Sequence, residues 1–212
     1  MIPVRDVIPS RHVPVVTLGL VLVSIAIHAA GVLDASLSGA WPDPQAAGGF
    51  SPARALLALF HYDGWLSLAA SLLLLWLFGE NVEDRLGRRR FLLLFVACGL
   101  AAAAAGQALP RAWMAPTGPA GAIAGVLGAY AVLFPKSRIL LLVPLPLRIE
   151  LVEAPAVHLM LGWLIVQLAL SMSAPERVLL VNLTGFACGA AVVVLLGGRG
   201  RRDRYWTEGT ED

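Results

Sequence analysis

Six apolar runs, at residues 13–33, 65–78, 91–109, 119–134, 151–171 and 178–197, leave this chain few ways to fold. A helix needs about 20 apolar residues, rising about 1.5 Å each, to cross the hydrocarbon of a bilayer. In lipid every backbone N–H and C=O must find its partner within the protein, which favours helices. The runs therefore predict an all-α membrane protein with six spans. The second and fourth are short for a crossing. They are expected to extend into their flanks or to sit inside the bundle, where neighbouring helices surround them. With 58% hydrophobic and 14% charged residues, an ordinary soluble domain is excluded.

The basic residues set the orientation. Arg54, Arg111 and Arg177 fall in loops on one side, and the other thirteen of the sixteen Lys and Arg fall on the opposite side. The positive-inside rule then puts both termini in the cytoplasm. Because the charges are divided among several short loops, a nucleic-acid partner is not expected. The first run exceeds the length of a signal-peptide core and reads as a retained helix.

One membrane domain, residues 1–198, accounts for the apolar runs. It contains an outer loop at 34–64 with a helical apolar stretch at 53–60, and a polar tail follows at 199–212. Cys98 and Cys188 lie inside spans and read as small buried side chains. No cysteine or histidine spacing suggests a metal, and no cofactor is expected.

Glycines recur at helical spacing in two spans. Gly118, Gly121, Gly125 and Gly128 share a face of the fourth span, and Gly185 and Gly189 share one with Asn182 in the sixth. Small residues four apart let helix backbones approach closely in lipid, so these two spans are expected to pack on each other.

Gly118-Pro119-Ala120-Gly121 at the start of the fourth span, Leu75-Trp76-Leu77-Phe78-Gly79-Glu80-Asn81-Val82-Glu83-Asp84-Arg85-Leu86-Gly87 at the end of the second, and Gly185-Phe186-Ala187-Cys188-Gly189 in the sixth follow one another in a specific order. With Phe134-Pro135-Lys136-Ser137 and Gly162-Trp163 between them, the chain resembles the rhomboid intramembrane serine proteases over nearly its whole length. The resemblance implies a six-helix rhomboid-like bundle with a short central fourth helix.

The resemblance also locates where protease chemistry would be. In that family a serine at the third position of Gly-x-Ser-Gly attacks the peptide carbonyl, a histidine on the sixth helix takes its proton, and a histidine and an asparagine on the second help hold the oxyanion. The corresponding residues are Ala120, Asn182, Ser67 and Ser71. Alanine has no nucleophilic atom, and an asparagine amide does not accept a proton near neutral pH. Loss of one oxyanion donor typically costs about 10²–10³ in rate. Four departures coincide, so the expectation is a pseudoprotease that binds transmembrane segments of client proteins among membrane lipids, with Ser67, Ser71, Thr117 and Asn182 as polar contacts.

The alternative is an active intramembrane endopeptidase with a displaced dyad. His12, His28, His61 and His158 are the available bases, with His158 expected about 10 Å into the fifth span and on the wrong side. Ser67 and Ser71 are equally explained as helix serines bonding a carbonyl one turn back. A transporter is disfavoured, since no acidic residue interrupts the middle of a span and no repeated halves are visible. Glu80, Glu83 and Asp84 beside Arg85 and Arg88–Arg90 read as a surface ion-pair loop, and Glu150 and Glu153 as flanking the fifth helix.

Overall fold

In the computed structural model, residues 2–6, 13–33, 51–62, 64–107, 119–145, 148–173 and 178–197 are described. Seven helices appear among them: α1 (Val15–Leu33), α2 (Pro52–Ala58), α3 (Trp65–Leu86), α4 (Arg88–Gln107), α5 (Ala120–Leu133), α6 (Ala156–Ser173) and α7 (Val178–Leu195). All but the short α2 correspond to the six apolar runs. Three of them, α1, α3 and the Arg88–Gly106 part of α4, are long and apolar enough to cross a membrane, whereas α5 and the Leu179–Leu195 part of α7 are apolar but shorter. The short second run does extend: α3 continues past Phe78 to Leu86. The fourth run stays short, and every residue of α5 from Gly121 to Tyr130 is buried. A helix apolar on all sides belongs in the middle of a bundle.

α2 bears out the helical stretch expected in the outer loop. Pro52 stands in its first turn and the Ser51 hydroxyl accepts from the Arg54 N–H, the usual chemistry of a helix start. The rest of that loop, residues 34–50, and the tail at 199–212 lie outside the described residues.

Three strands, which the sequence reading did not foresee, accompany the helices: β1 (Ile2–Asp6), β2 (Arg138–Leu145) and β3 (Arg148–Pro155). They form an antiparallel sheet in the order β1-β2-β3. Arg138 pairs with Pro155 and Leu145 with Arg148. The apolar run at 151–171 concealed the boundary, because Leu151–Pro155 is half of a hairpin and the helix begins only at Ala156. A short apolar stretch bounded by turn residues satisfies strand and helix patterns alike. Glu150 and Glu153 thus stand on a strand, and His158 is the third residue of α6, exposed, rather than deep in a span.

Close contacts fix the directions of the helices. Gly121 and Gly125 of α5 meet Gly185 and Gly189 of α7 in ascending order, so these helices run parallel, whereas Gly121 and Gly125 meet Ala102 and Cys98 of α4 in descending order. Phe78 of α3 stacks edge-on against Tyr130 of α5, with ring centroids 4.8 Å apart. Tyr62, just ahead of α3, donates to Ser24 of α1 at 3.2 Å. One end of the bundle therefore gathers the start of α1, the α3–α4 turn and the ends of α5 and α7. The opposite end gathers the starts of α3, α5 and α7.

The junction of α5, the sheet and α6 is tied by Ser137. Its hydroxyl donates to the Phe134 carbonyl at 2.9 Å, and its own carbonyl accepts from the Ala156 N–H at 2.9 Å.

Candidate functional site

The site begins with the α5–α7 contact. A Cβ on Gly185 would fall on the carbonyl oxygen of Gly121, one on Gly189 on that of Gly125, and one on Gly128 on that of Phe186. Backbone touches backbone at successive turns, which is possible only because these positions carry no side chain. On the other face of α5, the Gly125 position abuts the Cys98 side chain of α4. Gly118, grouped with these glycines from the sequence, lies outside the described residues, as does Thr117.

This packing sets where the residues of interest fall. Ala120 is the first residue of α5, next to Gly121, and is half-buried. Asn182 lies one turn ahead of Gly185 on α7 and is 1% exposed. Ser67 and Ser71 lie in the first two turns of α3, exposed and half-buried respectively. The structure brings all four to the same end of the bundle, with Ala120 and Asn182 on helices packed directly together.

Asn182 is the unusual member. Both Nδ2 and Oδ1 are buried, and among the described residues neither has a hydrogen-bond partner. A buried amide left unpaired costs about 1–3 kcal/mol. By contrast Thr184, two residues on, donates to the Leu180 carbonyl at 2.8 Å. That is the one-turn-back bond considered for the serines of α3; among the described residues Thr184 makes it.

A separate cavity of about 100 Å³ opens at the same end, between the last turns of α1 and residues 60–62. His28, His61 and Tyr62 line it with Ile27, Gly31, Val32 and Phe60. The His28 ring stands edge-on to Trp65 with ring centroids 4.7 Å apart, and its buried Nε2 has no hydrogen-bond partner among the described residues. Burial pushes the Tyr62 phenol above its ordinary pKa, against a smaller lowering by the Ser24 hydrogen bond. Neither Ala120 nor Asn182 lines this cavity.

Glu83 was misread from the sequence as part of a surface loop. It belongs to the last turn of α3 and is 3% exposed. Its carboxylate accepts from the Val16 N–H at 2.9 Å, the Thr17 N–H at 2.7 Å and the Thr17 hydroxyl at 2.8 Å. These are N–H groups of the first turn of α1, which have no partner within their own helix. A signal was present: Gly79 stands one turn before Glu83, and a Cβ there would press on Thr17 at 3.3 Å. Of the cysteines, Cys98 is buried as expected and Cys188 is partly buried.

Comparison with known proteins agrees with this arrangement. Residues 49–199, which include α2 to α7, match the Rhomboid domain family model. The chain is also similar to the yeast (Saccharomyces cerevisiae) protein "Rhomboid protein 1, mitochondrial", with 36% identity over 95 residues that make up 42% of this chain and 27% of the relative. The match thus spans about a quarter of that relative's length. The family model covers well over half of the chain, including the glycine-packed α5 and α7, and on that ground the chain belongs to the rhomboid family of membrane proteins.

Proposed function

We propose that this rhomboid-family membrane protein does not hydrolyse peptide bonds and instead binds transmembrane segments of client proteins. The reading rests on one juxtaposition. Ala120 opens α5, and α5 packs in parallel on the helix that carries Asn182. A methyl group cannot attack a carbonyl, and an amide cannot take up the proton that an attacking hydroxyl would release. Ser67 and Ser71 replace the longer oxyanion donors of the family, which removes a further source of transition-state stabilisation.

Client binding is supported by the polar groups gathered at the same end. The unpaired carboxamide of Asn182 carries a donor and an acceptor, the combination that a main-chain amide of an unwound segment requires. Ser67 and Ser71 add hydroxyls, and Thr117, three residues before Ala120 in the sequence, is a further candidate contact. Polar groups in lipid seek partners, and a client segment supplies them. The crowding of basic residues beside the α3–α4 turn supports cytoplasmic termini, and the location proposed with them is a bacterial inner membrane.

The test compares the unaltered chain with a variant carrying Ala120→Ser, Asn182→His, Ser67→His and Ser71→Asn. Both are reconstituted with a model transmembrane substrate. Cleavage by the variant alone is the expected result. Cleavage by the purified unaltered chain, abolished by a serine-directed phosphonate, refutes the reading. Photo-crosslinking from positions 67, 71 and 182 tests the client role, and capture unchanged by altering those residues removes it.

A further inference from the structure

We propose that the α3–α4 turn is a docking site for the headgroup of an anionic phospholipid, with Arg88, Arg89 and Arg90 as its ligands. Both helices are long and apolar enough to cross a bilayer, so the single residue between them, Gly87, lies at the membrane surface. Gly87 adopts a φ of +82°, a conformation natural to glycine, and reverses the chain within one residue. Its N–H donates to the Glu83 carbonyl at 2.7 Å, and its carbonyl accepts the first α4 bond, from the Phe91 N–H, at 3.0 Å.

The three arginines thus form the first turn of α4. All three are exposed, while Phe91 immediately after them is fully buried. Phe91 anchors the turn in the core, and the guanidinium groups are left in the headgroup layer. The N–H groups of residues 88–90 precede the first helical bond and add the positive end of the helix to the same spot. Successive side chains fan over about 200° of circumference, so the site is a rim open to phosphates from several directions.

Three features select a lipid as the occupant. The protein stands permanently in a bilayer, so the phosphate layer lies at the depth of the turn. A planar guanidinium fork fits a phosphate in two-point fashion. Arginine clusters directly beside a membrane helix are the pattern that anionic headgroups recognise. Setting the topology requires only positive charge; a phosphate site distinguishes arginine from lysine. The inference stands on the membrane-crossing helices and is independent of whether the chain cleaves or binds clients.

The experiment reconstitutes the full chain in nanodiscs of phosphatidylcholine with and without phosphatidylglycerol. Lipids retained after gentle release are counted by native mass spectrometry. The unaltered chain is expected to retain phosphatidylglycerol selectively. The triple variant R88Q/R89Q/R90Q should lose about fivefold in retention per arginine, and R88K/R89K/R90K should fall between the two. Equal retention by the unaltered chain and the glutamine variant, both folded in phosphatidylcholine, overturns the proposal. If the glutamine variant does not insert, the lysine variant decides, and retention equal to that of the unaltered chain overturns it. Displacement of the lipid by millimolar soluble glycerol phosphate would also overturn it, by showing a general phosphate site.

Discussion

The Glu83 carboxylate lies 2.7 Å from the backbone nitrogen of Thr17 and 2.8 Å from its hydroxyl. The last turn of α3 therefore caps the first turn of α1. An anion at a helix N-terminus is favourable because the leading N–H groups are unpaired and the helix dipole is positive there. Away from water the bonds gain strength, and losing them leaves the donors orphaned.

Glu83→Ala should destabilise the folded protein by about 1–3 kcal/mol, because it strands the Val16 and Thr17 donors together with the hydroxyl. Glu83→Gln keeps an acceptor and should cost less. Unfolding in mixed micelles measures both. An alanine variant as stable as the parent would show that these bonds carry no weight.

At the α5–α7 contact, Gly185→Ala or Gly189→Ala drives a methyl into a backbone carbonyl, which has no side-chain rotation by which to yield. Either change should cost about 1–3 kcal/mol or more through forced separation of the helices. Gly162→Ala is the control: no heavy atom lies within 4 Å of a Cβ there, and alanine favours helix by up to about 1 kcal/mol. The thermal midpoints should move in opposite directions.

Asn182→Leu should raise stability by about 1–2 kcal/mol, since it removes two buried polar atoms that lack partners among the described residues and keeps the number and branching of side-chain heavy atoms. The same variant should capture clients less well. Unfolding and crosslinking on one preparation read the two effects, and a leucine variant that is less stable than the parent would indicate that the amide has found a partner.

The two thiols should differ in accessibility. Cys188 is partly exposed and Cys98 is not, so a lipid-soluble maleimide should label Cys188 in the folded protein and Cys98 only after unfolding. Peptide mapping after timed labelling distinguishes them.

The sequence by itself determined where the apolar helices run, the glycine faces and which side chains stand at 67, 71, 120 and 182. Those are local matters of length, periodicity and residue identity. Hydrophobicity marked where helices run because lipid leaves the backbone no other partner, and the Gly121/Gly125 and Gly185/Gly189 spacings marked which helices approach. The tertiary structure decided what depends on residues far apart in the chain. Leu151–Pro155 became a strand because β2 was there to pair with it. Glu83 became a buried cap because α3 ends where α1 begins, 66 positions away from Thr17. Asn182 became a buried amide, without a partner among the described residues, because of the helices closing around it. A charged or polar residue has no fixed role in a sequence, since its free energy is set by the partners that folding brings within hydrogen-bond reach.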